Sequence, residues 1–241
     1  MLEIWQPEIF PKNKIKSGVT KKNLKLFPKT GFCASKAQVL TDDGLSLHIQ
    51  HFAKFLGTDV GNLKMQHQVH GININIITKN SPVQDADGMI TSEKELILYT
   101  KIADCCGILI YDPVKEVISV LHSGWRGTQL NIASEGIKKL KEIYNCNPKD
   151  LLVYLSPCAG GDKYEVGLDV AKYFPDSTRQ INNNKFLFDN KKEIYKQLIQ
   201  SGVNCENIEI SEVCSISNLE CHSYRRDGDV SGRMAAYIGM I

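Results

Sequence analysis

Residues Ala103–Thr128 read A-D-C-C-G-I-L-I-Y-D-P-V-K-E-V-I-S-V-L-H-S-G-W-R-G-T. Within them, Ile108–Tyr111 and Val117–Leu121 are short apolar runs rich in β-branched residues. Asp112-Pro113, a turn pair, joins them, so the stretch predicts a hairpin with both strands well buried. The chain then turns helical. From Thr128, whose hydroxyl can cap the first turn, Leu130, Ala133, Ile137, Leu140 and Tyr144 recur at spacings of three and four and mark one apolar helix face. Working outward, Gly71–Ile76 alternates apolar and polar as a half-buried strand does, and Leu151–Leu155 and Ile208–Val213 are further strands. Leu45–Gly57 is helix-like. A second amphipathic helix starts near Asp189, buries Ile194, Tyr195, Leu198 and Ile199, and stops at Gly202. Strands with interspersed helices and adjacent antiparallel pairs predict an α+β fold, a mixed α/β sandwich.

The chain has 241 residues, of which 42% are hydrophobic and 23% charged, enough for a sizeable core and too apolar for a disordered chain. No stretch rich in Pro, Gly and Ser separates two parts, and Gln180–Lys185 (QINNNK) reads as a loop, so residues 1–241 are expected to form a single domain. Lys and Arg number 29 against 27 Asp and Glu, a formal charge of +2, which gives no reason to expect nucleic acid or an anionic membrane as partner. The apolar run at Cys105–Tyr111 is far too short to span a bilayer. Eight cysteines without a C-x-x-C pair do not make a disulfide scaffold. With no export signal in the first residues, they are expected to be reduced thiols in a cytoplasmic protein, mostly packed as small hydrophobes.

Three segments concentrate groups that ligate metals or act as nucleophiles: Gln68-Val69-His70-Gly71, Ala103-Asp104-Cys105-Cys106-Gly107 and His122-Ser123-Gly124-Trp125-Arg126-Gly127. Each lies at the edge of a predicted strand, where fixed side chains can converge on one cleft. His70, Cys105 and His122 could supply three ligands to zinc and leave the fourth position open, the arrangement of a catalytic site. The same residues allow a second chemistry, in which Cys105 is a nucleophile, His122 its base and Asp104 or a nearby carboxylate the orienter. Cys106 is expected to face the opposite side and pack in the core, because strand side chains alternate. His67, His48 and His51 read as surface or packed histidines. Arg126 stands at a helix start, and Ser223-Tyr224-Arg225-Arg226-Asp227 lies on Gly-rich turns near Arg233, both suited to phosphate or carboxylate. Trp125 and Tyr224 offer flat faces for a ring.

Taken in order, QVHG, ADGMIT, ADCCGILIYDP, VISVLHSGWRGT, SPCAGGDKYEVG and SYRRDGDVSGRM resemble the YfiH-like family, from about Met65 to the C-terminus. Its members carry the names multi-copper polyphenol oxidoreductase (laccase-domain protein), purine nucleoside phosphorylase and peptidoglycan editing factor. The resemblance implies a mixed α/β sandwich similar to a toxin deamidase with a Cys–His site. It also implies a metal, zinc, on His70, Cys105 and His122. The implied activity is purine nucleoside phosphorolysis, with adenosine deaminase and methylthioadenosine phosphorylase activities beside it. Purine nucleosides and phosphate would be the partners, with Arg126, Arg226, Gln68 and Tyr224 expected to bind substrate, in a monomer or small homo-oligomer. Copper is the weaker expectation, because six dispersed histidines do not suit a multi-copper cluster. The chain departs from the family in Thr30–Leu47, which lacks the usual Arg-x-Gly-Gly stretch, in Cys221-His222 before Ser223, and in Leu155-Ser156-Pro157-Cys158. The competing expectations are a metal-free Cys–His hydrolase or amidase, including one that edits cell-wall precursors, a polyphenol oxidase, and a nucleoside-binding protein without turnover.

Overall fold

The computed structural model describes residues 1–35 and 40–241. The hairpin read from the sequence is its centre. Cys106–Asp112 pairs antiparallel with Val117–Ser123, with Gly107 opposite His122 and Asp112 opposite Val117. The Asp112 carboxylate accepts the amides of Val114 and Lys115 and closes the turn. These two strands lie inside a six-stranded sheet ordered Ile208–Ile210, Leu152–Leu155, Cys106–Asp112, Val117–Ser123, Gly88–Thr91, Ile74–Ile76. A five-stranded sheet, ordered Ile4–Trp5, Ile15–Thr20, Met234–Met240, Ile97–Ile102, Leu63–Lys64, faces it.

Side-chain alternation sorts the hairpin onto two cores. Leu109, Tyr111, Ile118 and Val120 point between the sheets, against Leu98, Ile102, Ala236 and Ile238. Ile108, Ile110 and Leu121 point outward, onto Ile132, Ile137 and Leu140 of the Ile132–Tyr144 helix and Ile194 and Leu198 of the Asn190–Gln200 helix. On the far side, Tyr99 and Tyr237 pack on Phe52 and Leu56 of the Asp42–Leu56 helix. The result is helix, sheet, sheet, helix. Covering both faces is why these strands are apolar at nearly every position rather than alternating. Gly107 is needed where the sheets close on each other, since a Cβ there would lie 2.6 Å from Ala236 Cβ.

The structure refines several boundaries. Of Gly71–Ile76 only Ile74–Ile76 pairs as strand, because the preceding residues are drawn into a turn around a buried carboxylate described below. The helix read from Thr128 is two helices, Trp125–Gln129 and Ile132–Tyr144, broken at Asn131 with φ +63. Thr128 therefore caps nothing. It is buried, with its hydroxyl 2.8 Å from Ser123 Oγ and 2.7 Å from Asn190 Oδ1, and Leu130 is left 48% exposed at the break. The helix starts at Asp189 as expected, with the Asp189 carboxylate capping it by accepting the Lys192 amide, but Ile199 is exposed and Tyr195 half-buried. Gln180–Lys185 forms the tip of a hairpin between Thr178–Asn182 and Lys185–Phe188, part of a small third sheet with Glu165–Val166. Of the divergent Thr30–Leu47 stretch, residues 36–39 lie outside the described ones.

Candidate active site

The central hairpin delivers two of the three expected ligands. Cys105 immediately precedes the Cys106–Asp112 strand and His122 sits near the end of its partner, so strand register brings them together. His70 arrives from the turn ahead of the Ile74–Ile76 strand, in a left-handed conformation with φ +62. The ligand atoms of His70, Cys105 and His122 all lie within 4.8 Å of one another. The two rings meet edge to face at 4.9 Å. Gly124 makes room for the cluster, because a Cβ there would stand 2.8 Å from Cys105 Sγ and 3.3 Å from His70 Cδ2. A tetrahedral ion with bonds of about 2.0–2.3 Å holds its ligand atoms about 3.5 Å apart, so the cluster could bind a metal after small side-chain adjustments. Among the described residues no other such group of histidine, cysteine and acidic side chains is found.

The orienting carboxylate is Asp87, from ADGMIT, not Asp104. Asp87 is buried, and its Oδ1 lies 2.8 Å from His122 Nδ1. It also accepts the backbone amides of Val69 at 3.1 Å, His70 at 3.0 Å and Gly71 at 2.7 Å. Burial would raise the Asp87 pKa, but the His122 hydrogen bond and these amides outweigh it and hold the carboxyl below its usual range. Burial likewise opposes ionising Cys105, yet the positive charge of His122 and hydrogen bonds from His122 and His70 bring the thiol down to about 6. Against its own burial, His122 is pushed up to about 9 by the Cys105 charge and by Asp87. Without a metal, the pair is thus a thiolate beside an imidazolium. Asp104, with φ +85, instead accepts from the Ser215 hydroxyl at 2.6 Å and the Arg225 amide at 2.6 Å, tying the Tyr224–Asp227 helix to the site. Cys106 is fully buried on the helix side, as alternation requires.

The three residues form the floor of a cleft of about 710 Å³ whose lining includes Arg126, Arg225, Arg233, Lys101, Tyr164 and Tyr224. Arg126 lies over the Trp125 ring at 4.3 Å, Arg225 over Tyr164 at 5.1 Å and Arg233 over Tyr224 at 5.6 Å. Each of the three arginines is therefore paired with an aromatic face, while Lys101 donates to the Gln66 carbonyl. Arg226 corrects the sequence reading. Its guanidinium binds Asp227 and the carbonyls of Ser215, Ile216, Asn218 and Cys221, so it braces the loop instead of lining the cleft. Its neighbours Arg225 and Arg233 take the place expected of it. Gln68 does reach the cleft, but its amide mimics a strand residue, accepting from the Lys101 amide and donating to the Lys101 carbonyl, both at 2.9 Å. Tyr224 is half exposed and donates to Asp229 at 3.0 Å. His67 is exposed and paired with Asp85, and His48 packs on Phe27.

Residues 43–241 match the family model described as multi-copper polyphenol oxidoreductase laccase. The chain belongs to that family. A purine nucleoside phosphorylase of Aquifex aeolicus is 31% identical over 199 residues, 83% of this chain and 92% of that one. The purine nucleoside phosphorylase YlmD of Bacillus subtilis is 29% identical over 209 residues, covering 79% and 75% respectively. Among solved structures, YlmD from Geobacillus stearothermophilus superposes with a TM-score of 0.88 over 99% of both chains at 23% identity. Bacillus licheniformis YfiH gives 0.88 over 94% of this chain and 93% of that one. These likenesses confirm the α+β sandwich. Among the described residues His48, His51, His67 and His222 lie outside the His70–Cys105–His122 cluster. No helix among the described residues is long and apolar enough to cross a membrane.

Proposed function

We propose that this protein is a purine nucleoside phosphorylase whose cleft binds phosphate at the arginine rim and the nucleoside between that rim and the His70–Cys105–His122 floor. The observation that carries the reading is the convergence of Arg126, Arg225 and Arg233, each stacked on an aromatic ring, above that floor. The purine nucleoside phosphorylases among its relatives support the substrate class.

In phosphorolysis a phosphate oxygen forms a bond to ribose C1′ as the C1′–N9 bond breaks. The electron pair leaves with the purine, which takes up a proton. The guanidinium groups would neutralise the phosphate and aim one oxygen. Arg225 and Arg233 are fixed at the cleft through one Nη each, which donates to the Glu165 carbonyl and to the Ser231 and Gly232 carbonyls respectively. Trp125, Tyr164 and Tyr224 supply flat apolar surface for the base. His70, Cys105 and His122 would hold the metal, and zinc suits one thiolate with two imidazoles better than a multi-copper cluster does. A metal held by these three residues would supply Lewis-acid chemistry at the bottom of the pocket. Deamination of adenosine and phosphorolysis of methylthioadenosine would use the same pocket.

One observation favours a second reading: Cys105 Sγ lies within 4.8 Å of a ligand nitrogen of His122, with the thiol lowered and the imidazole raised by each other's charge, the arrangement of a cysteine hydrolase or amidase. Release of free base from inosine and adenosine, with and without phosphate, separates the readings. Base release that needs both phosphate and Cys105 supports the phosphorylase. Ammonia without base shifts the assignment to deamination, and amide hydrolysis that survives chelators shifts it to the hydrolase.

A further inference from the structure

We infer that Asp87 is the positioning residue of the cluster: one carboxylate sets both the tautomer of His122 and the placement of His70, and so sets how tightly the site holds a metal. The inference rests on the metal reading above, not on the substrate. Asp87 Oδ1 faces His122 Nδ1 at 2.8 Å and the His70 amide at 3.0 Å, while Oδ2 takes the Val69 and Gly71 amides at 3.1 and 2.7 Å. All the partners are donors, so only a group that accepts at both oxygens satisfies them. An Nδ1 held as N–H leaves Nε2 as the atom with a free lone pair, the ligand atom. The backbone adds a further tie, since the His122 amide donates to the Asp87 carbonyl at 2.7 Å. Two ligands from segments 52 positions apart in sequence are thus registered through one buried side chain.

Asp87→Asn keeps the shape and removes one acceptor. Its amide NH₂ must face either the row of backbone donors or His122 Nδ1. In the second case His122 is driven to the Nε2–H tautomer, which cannot bind a metal. Zinc affinity of the wild type and of Asp87→Asn is measured by competition with a chromogenic chelator, with a thermal melt of each metal-free protein beside it. The expected result is an affinity loss of about 10- to 100-fold with a cooperative melt retained. Equal affinities would overturn the inference, and failure of the wild type to take up zinc would overturn the metal reading and this inference with it. Should the variant not fold, long-range ¹H–¹⁵N NMR of the zinc-loaded wild type decides: Nδ1–H with Nε2 as ligand supports the role, and metal on Nδ1 refutes it. Phosphorolysis that fails in a zinc-replete wild type leaves the Asp87 inference standing and removes only the substrate assignment.

Discussion

Cys105 meets His122 on the floor of the cleft, while behind Gly232 a second pair, Cys33 and His222, lies with Sγ 3.8 Å from Nε2. Cys33 and His222 are fully buried, whereas Cys105 is half-buried at the cleft beside buried His122, and the two pairs ionise in opposite senses. Burial pushes the Cys33 thiol up, and burial takes His222 down to about 4. The second pair is therefore a neutral thiol beside a neutral imidazole. His222 Nε2 donates to the Phe32 carbonyl at 2.7 Å, and its Nδ1 has no partner among the described residues. Cys105 and His122 instead reach about 6 and about 9. The difference lies in what opposes burial. For Cys105 and His122 it is first their mutual charge attraction, to which the His70 hydrogen bond to the thiol and the one His122 makes to Asp87 add; His222 has a backbone carbonyl in that place instead.

The largest effect that tests this contrast is on turnover. Cys105→Ala is expected to abolish metal uptake and to lower kcat/KM for phosphorolysis by about a thousandfold, the scale of losing a group that acts in the transition state. Cys33→Ala is expected to leave both intact and to cost about 1 kcal/mol in denaturant unfolding. A Cys33 variant that loses turnover would break the comparison.

Next comes the rim. Removing Arg126 deletes a charge-assisted contact of about 1.5–3 kcal/mol, so Arg126→Ala should raise the KM for phosphate about 10- to 100-fold. The companion expectation is a small change in kcat, because the arginine lies at the cleft wall and not among the three floor residues. Initial-rate kinetics at varied phosphate checks it, and an unchanged KM would remove Arg126 from the phosphate site.

The pH dependence of alkylation sharpens the electrostatic half. The thiolate is the reactive species, and a depressed pKa means it is populated above, not below, about 6. In metal-stripped protein the rate at Cys105 should rise about tenfold from pH 5 to pH 7 and then level off. Cys33, raised and buried, should stay unmodified over that range. Iodoacetamide labelling read by mass spectrometry distinguishes them, and a Cys105 rate still climbing steeply at pH 8 would show that His122 does not supply the charge. The smallest effect belongs to the adjacent residue. Cys106→Ala should cost about 1 kcal/mol of stability by opening a small void, with the KM for phosphate and nucleoside unchanged.

Much of this was legible in the residues. The Ile108–Leu121 hairpin declared itself because both its faces are apolar, and strand ends bearing His70, Cys105 and His122 marked the floor of the cleft. Sequence left the orienter as Asp104 or a nearby carboxylate and set Arg226 at the substrate, because each stands beside a candidate site residue in the chain, and adjacency in sequence says little about which way a loop side chain turns. Asp104 turned to Ser215 and the Arg225 amide, and Arg226 to four loop carbonyls. Asp87 carries no signal of its own within ADGMIT. An acidic residue before a glycine reads as an ordinary turn until the partners of its carboxylate are known.

The sequence alone determined the central hairpin with its two-faced burial, other strands of its six-stranded sheet and the three ligand-type residues, because periodicity and side-chain chemistry are local properties. The strands of the five-stranded sheet that faces it came only from the structure. Tertiary structure decided which carboxylate orients His122, which arginines line the cleft and which of two Cys–His pairs is charged. Those outcomes depend on contacts across long loops and on a local dielectric that exists only once the chain has folded.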